Sequence, residues 1–253
     1  MNEATFFNIL LVAMFFLAVL VFVVLFFITA PYGRHNRKGW GSSIDNRLAW
    51  ILMEAPSPVI FGMLFLAGTN PVNAATLAFV FMWQAHYVHR AFIYPFSLND
   101  NGKRMPVLIM IFGILFNLMN AYLNGRWVFH FSPGYSEGWV YSPFFVIGVV
   151  LFAAGYIINR QADGDLRNLR KESEGSYAIS NRHFYRWVSC PNYLGEIVIW
   201  TGWAVATWSL AGLAFAMWTI ANLAPRARAH HAWYRETFDD YPPERKALVP
   251  KIW

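Results

Sequence analysis

The sequence predicts an all-α, polytopic membrane protein with seven transmembrane helices, its N-terminus outside and its C-terminus cytosolic. Three observations carry this reading. Hydrophobic residues fill 57% of the 253 positions and charged residues only 13%, against about 25% charged in soluble domains. Apolar stretches follow one another at 4–30, 48–66, 72–94, 106–124, 142–158, 193–206 and 208–223, and about 20 apolar residues suffice for one crossing. Threading the chain through these stretches places all but two of its 20 Lys and Arg residues on one face, which cytoplasmic loops gather. The exceptions are Arg126, on the other face, and Arg90, inside the third stretch.

Taken in order, the first stretch holds no charge and follows only Glu3, so it reads as a retained span and not as a cleaved signal peptide. The second carries Glu54 within Trp50-Ile51-Leu52-Met53-Glu54-Ala55-Pro56-Ser57-Pro58, where two prolines remove backbone donors and predict a break or kink. The third ends in a polar turn with Gln84, His86, Tyr87, His89, Arg90 and Tyr94. The fifth continues in helical spacing through Asn159, Asp163, Arg167 and Arg170, and the last two are short and tightly joined. The formal charge of +6 is then a cytoplasmic face in contact with anionic lipids, and nucleic acid is excluded as a partner. Cys190 is the only cysteine, which rules out an intrachain disulfide. The 23 Phe, 12 Trp and 12 Tyr suit interfacial belts or a pocket for a flat apolar ligand.

Ionisable side chains inside spans cost about 2.5–3.5 kcal/mol each on insertion scales, so they mark cavities and function. Desolvation favours the protonated form of a carboxyl such as Glu54, which would then donate a hydrogen bond at neutral pH. Paired with the Tyr87 phenol on the neighbouring span, it could polarise one carbonyl oxygen as an oxyanion hole does. His86 and His89 lack a third ligand at a characteristic spacing, so no metal centre is expected. Asn192 and Glu196 stand one turn apart at the start of the sixth span, and Arg226, Arg228, His230, His231 and Tyr234 follow the seventh. Each group alone reads equally well as a solvated helix face. Together they collect amides, carboxylates, arginines and tyrosines on the cytosolic side, as ribose hydroxyls and phosphates require. Gly-x-Gly-x-x-Gly, Walker, His-Glu-x-x-His and Gly-x-Ser-x-Gly motifs are absent, so soluble cofactor and hydrolase folds are unsupported.

From about Trp50 to Trp253 these residues resemble the steroid 5α-reductase family. The likeness is strongest in Asn192-Tyr193-Leu194-Gly195-Glu196-Ile197, Ala206-Thr207-Trp208-Ser209-Leu210, His230-His231 and Arg245-Lys246-Ala247-Leu248. The resemblance implies NADPH-dependent reduction of the C4–C5 double bond of a 3-oxo-4-ene steroid, or another hydrophobic enone. Glu54 and Tyr87 would hold the 3-keto oxygen. Asn99, Arg104, Asn159, Asp163, Arg170, Tyr177, Asn192, Glu196, Arg226, His230, Tyr234 and Arg245 would bind the cofactor. Trp50 and Trp200 would border the junction of nicotinamide and substrate. One membrane domain, 1–253, is implied, with 1–125 as its substrate-side half and 126–253 as its cofactor-side half. It would lie in a bacterial inner membrane, or in the endoplasmic reticulum of a eukaryote. Ala178 stands where animal relatives carry Arg, and Cys190-Pro191 replaces Gly-Ala. Three alternatives stay open. One is a membrane isoprenylcysteine-type methyltransferase using S-adenosylmethionine, which the Pro191–Glu196 segment also resembles. The others are a sterol reductase acting on another double bond and a non-catalytic lipid-binding protein.

Overall fold

The computed structural model describes residues 1–30, 35, 39–98 and 102–253, and all seven apolar stretches are helical in it. Asn2 caps α1 (Glu3–Phe27) by accepting from the Thr5 amide. This helix is apolar all round, yet only Phe7, Leu11, Met14 and Ala18 are buried. Their spacing of four, three and four makes a single seam, packed mainly on the last helix, and leaves the other apolar faces outward as lipid demands. The expected kink is present: α2 (Asn46–Glu54) stops at Ala55 and α3 (Pro56–Leu66) restarts with proline in its first turn.

α4 (Ala74–Val88) begins in a reciprocal Asn73/Thr76 capping box. It then loosens into a π turn over His89–Ile93 before the short α5 (Tyr94–Ser97). Such turns insert one residue into the helical ladder and recur at functional sites; this one carries Arg90. α6 (Val107–Arg126) ends in a second π turn, Trp127–Phe131. α7 (Pro143–Glu172) runs well past its apolar stretch, so the polar residues after Ile158 belong to the same helix. α8 (Pro191–Thr207) and α9 (Leu210–Thr237) close the chain, joined at Trp208, which adopts a left-handed backbone with φ of 44°.

Among the described residues, four helical runs are long and apolar enough to cross a membrane: Glu3–Phe27, Asn46–Leu66, Val107–Phe131 and Pro143–Glu172. The other expected spans are helical but shorter or more polar, with 15 residues in α4 and 17 in α8. A short antiparallel ribbon departs from the all-α expectation. β1 (Ser43–Asp45) pairs with β2 (Arg104–Pro106) in the register Ser43↔Pro106, Ile44↔Met105 and Asp45↔Arg104. Many aromatics form neither belt nor pocket but the core itself. Phe61 stacks on Trp83 at 4.4 Å between centroids, and Trp83 meets Trp203 at 5.2 Å.

α7 and α8 form the most extensive helix pair because glycines let their backbones touch. A Cβ at Gly155 would stand 2.5 Å from the Ile199 nitrogen and 2.7 Å from the Gly195 oxygen; one at Gly195 would stand 2.6 Å from the Asn159 nitrogen. Small residues serve helix packing in membranes in this way, and the close approach places Asn159 against the start of α8. Gly155→Val should therefore destabilise the protein by about 1–3 kcal/mol through overpacking. The check is the thermal unfolding midpoint in detergent, and an unchanged midpoint would contradict this account of the seam.

Candidate active site

Seven helices, α2 and α4 to α9, wall a cavity of about 490 Å³, within the usual range for small-molecule sites. Its chemistry changes along its length. On α9 the lining residues run Phe215, Trp218, Thr219, Asn222, Leu223, Arg226, His230 and Tyr234, from mainly apolar to mainly polar and cationic over about 28 Å at the helical rise. On α8 the same change runs backwards, from Trp200 through Glu196 to Asn192, and α7 adds Asn159, Asp163, Arg167 and Arg170 at the polar end.

Glu54 and Tyr87 face this cavity together. Each is buried. The α2–α3 break at Pro56 places Glu54 on the last turn of α2, where its Oε2 accepts from Asn117 Nδ2 at 3.4 Å; the same amide donates to Met53 O at 2.8 Å. Tyr87 sits in the last turn of α4, and its Oη accepts from Asn120 Nδ2 at 3.4 Å. The Trp200 ring lies 5.5 Å from the Tyr87 ring and 4.1 Å from that of Phe215, giving the pair an apolar wall.

Arg90, on the π turn, joins this region to the polar end. Its guanidinium lies 4.0 Å from Glu54, 3.8 Å from Asp163 and 3.8 Å from Glu196. The rings of Trp50 and Tyr94 each lie 4.9 Å from it. A planar cation can stack and meet several carboxylates at once, which an ammonium cannot do as well. Glu196 is tied further: Oε1 accepts from Asn159 Nδ2 and Oε2 from Trp200 Nε1, each at 3.1 Å, with His86 Nε2 at 3.6 Å. His89 pairs with Arg160. Both histidines are therefore engaged with charged side chains of neighbouring helices.

Of the residues expected at a cofactor, Arg104, Asn159, Asp163, Arg170, Tyr177, Asn192, Glu196, Arg226, His230 and Tyr234 all line the cavity, as do Trp50 and Trp200. Asn159 also donates to Asn192 O at 3.1 Å, fastening α7 to α8. Arg226 Nη2 donates to Tyr193 Oη at 3.0 Å, and that oxygen lies 3.1 Å from His230 Nε2. Arg170 lies over the Tyr177 ring. Asn99 falls outside the described residues.

Arg245, also expected at a cofactor, does not line this cavity. It is buried, donating to Ser180 O at 3.0 Å and Asn181 Oδ1 at 2.6 Å. The Arg245–Leu248 segment is a fastening, because its carbonyls accept from Ser189 N at 2.8 Å and Cys190 N at 3.2 Å just ahead of α8. Ser189 Oγ adds contacts to His231 Nδ1 at 2.7 Å and Tyr241 Oη at 2.6 Å. Burial, then the nearby charges of Arg235, Lys246 and Arg245, hold His231 below the usual histidine range. It stays neutral at pH 7 and can accept the serine proton.

Sequence reading left Arg90 without a role and passed over Asn117, Asn120 and Asn124. A signal existed for the asparagines. Three amides at steps of three and four in an apolar stretch share one helix face, and such a face does not suit lipid.

The profile of the family described as 3-oxo-5-alpha-steroid 4-dehydrogenase matches residues 103–253. The steroid 5-alpha-reductase of Arabidopsis thaliana is 40% identical over 259 residues, covering 99% of this chain and 98% of that protein. The corresponding protein of Gossypium hirsutum is 41% identical, with 100% and 99% covered. The 3-oxo-5-alpha-steroid 4-dehydrogenase 1 of Mus musculus is 38% identical, with 93% and 92% covered. With likeness of this extent added to the site described above, the chain belongs to the steroid 5α-reductase family of oxidoreductases.

Proposed function

We propose that this protein reduces the C4–C5 double bond of 3-oxo-4-ene steroids to 5α-reduced 3-oxo steroids, with NADPH as reductant. The observation that carries the reading is the buried Glu54–Tyr87 pair facing an apolar-walled cavity whose other end is lined by arginines and amides. A phenol and a protonated carboxyl each donate one hydrogen bond. Both would be directed at the ketone oxygen, where negative charge grows as hydride reaches C5, so they stabilise the transition state more than the bound enone. Trp200 and Phe215 keep water from the reacting carbons, and Arg90 steadies Glu54 and Glu196 from behind. A methyltransferase would have no use for a carboxyl–phenol pair at this position.

The polar end suits NADPH. Arg104, Arg170 and Arg226 offer cations for phosphates, and Asn159, Asn192 and Glu196 offer amides and a carboxyl for the nicotinamide–ribose portion. Tyr177, His230 and Tyr234 add rings and polar tips. Asp163 Oδ2 is buried with no hydrogen-bond partner among the described residues, an acceptor that an N–H or O–H of the cofactor would satisfy. Bound NADPH would supply the hydride; the chain supplies position, charge and exclusion of water. We place this site in a seven-span domain with the N-terminus outside. Residues 1–125 then form the substrate-side half and residues 126–253 the cofactor-side half, and the basic face meets the cytosol and anionic lipids. The test is anaerobic incubation of detergent-purified protein with NADPH and testosterone. One 5α-reduced product per NADPH oxidised is expected; no oxidation, or a product reduced elsewhere, would overturn the reading.

A further inference from the structure

A chain of four buried side chains ends on the catalytic phenol. Trp203 Nε1 donates to Asn124 Oδ1 at 2.8 Å, Asn124 Nδ2 donates to Asn120 Oδ1 at 2.9 Å, and Asn120 Nδ2 donates to Tyr87 Oη at 3.4 Å. Trp203 and Asn120 are fully buried, and Asn124 and Tyr87 nearly so. The direction of this chain is set at its far end, because an indole N–H can only donate. Asn124 must turn its oxygen to Trp203, so its nitrogen faces the Asn120 oxygen, and the Asn120 nitrogen then faces the phenol oxygen. Reversing any one amide would set two donors or two acceptors against each other in a dry interior, at the full cost of unpaired buried groups.

We propose that Trp203, Asn124 and Asn120 are positioning residues that form a one-way donor chain, occupying the acceptor side of the Tyr87 hydroxyl so that its proton is directed at the carbonyl oxygen of the substrate. The inference rests on the reading that Tyr87 donates to the ketone. No acceptor among the described residues takes the phenol's proton in normal geometry. Ser57 is fully buried beside the phenol, and its Oγ finds no partner of normal hydrogen-bond geometry among the described residues. Chained donors polarise one another in the same sense, which strengthens the phenol as a donor when charge grows on the ketone. The same helix face steadies the other half of the pair, since Asn117 donates to Glu54 Oε2. α6 therefore backs both groups from their acceptor sides.

A purely structural role, amides gluing α6 to α4 and α8, is separated by a double-mutant cycle. Asn120→Leu is expected to lower kcat about tenfold, the effect of one lost hydrogen bond to a reacting group, with steroid KM and the NADPH dissociation constant within about twofold. In a Tyr87→Phe background the same change should alter the residual single-turnover rate by less than about twofold, because the hydroxyl it orients is gone. Trp203→Phe keeps an aromatic ring and removes only the far donor. It should lower kcat several-fold and be silent in the Tyr87→Phe background, and it carries the test if the leucine variant does not accumulate. Equal losses in both backgrounds, or a wild-type kcat in these variants while Tyr87→Phe is impaired, would overturn the donor chain alone. Full activity in Tyr87→Phe itself would overturn the reading of the catalytic pair and the donor chain with it.

Discussion

Tyr87→Phe is expected to lower kcat for a 3-oxo-4-ene steroid by about 10²–10³-fold, the range for removing one donor at a developing oxyanion, and to leave NADPH affinity unchanged. The substitution deletes a hydroxyl and little else, because the ring keeps its contacts with Trp83 at 4.9 Å and Trp200 at 5.5 Å. The loss belongs in kcat more than in KM, since a bond that strengthens as charge moves onto the oxygen contributes little to holding the uncharged enone. Combining it with Glu54→Gln should cost less than the product of the two single losses if both groups serve one oxygen, as proposed. Stopped-flow NADPH oxidation with the steroid saturating gives the rates, and a Tyr87→Phe enzyme within about threefold of wild type would remove the phenol from the mechanism.

Arg90→Ala should have the largest effect on the protein as a whole. Three carboxyl groups, Glu54, Asp163 and Glu196, converge on this guanidinium at 3.8–4.0 Å, and its side chain is only 20% exposed. Removing one partner of a buried ion pair costs about 3–5 kcal/mol, because charge is left uncompensated. At roughly 2–4 °C per kcal/mol for a chain of this size, the unfolding midpoint should fall by about 10 °C and steroid reduction should be lost. Arg90→Lys should recover part of the stability and less of the activity, because an ammonium cannot lie flat between Trp50 and Tyr94 while meeting three carboxyls. Thermal unfolding in detergent, measured with and without NADPH, is the check; a midpoint for Arg90→Ala equal to wild type would show that the carboxyls do not depend on it.

What could be read from residue order was what repeats along one helix. The charge-free run of α1, the proline break after Glu54 and the polar stripe from Asn159 to Arg170 are patterns within single elements, and each is where the pattern put it. Arg90 was visible as a cost without a visible reason. Its partners come from α2, α7 and α8, and no spacing in the chain connects Glu54, Asp163 and Glu196. The α6 amides met the same obstacle, since Trp203 lies 79 positions from Asn124. The β1–β2 ribbon pairs segments of three residues, too short for an alternation to show. Arg245 shows the converse limit. Its motif stands in the tail beside Arg226, His230 and Tyr234, but chain proximity does not say which side of a fastening loop a guanidinium faces, and this one faces Ser180 and Asn181.

Two side chains donating to a single ketone oxygen would polarise it, and the carbonyl stretch of a bound substrate reports on that directly. Isotope-edited infrared spectra of a 3-oxo-4-ene steroid, labelled at C3 and bound to the protein with NADP⁺, should show this band at lower frequency than in water, because two aligned donors in a dry cavity polarise the bond more than solvent does. Tyr87→Phe and Glu54→Gln should each move it part of the way back. A band at its aqueous frequency in the wild type, unmoved by either substitution, would contradict the account.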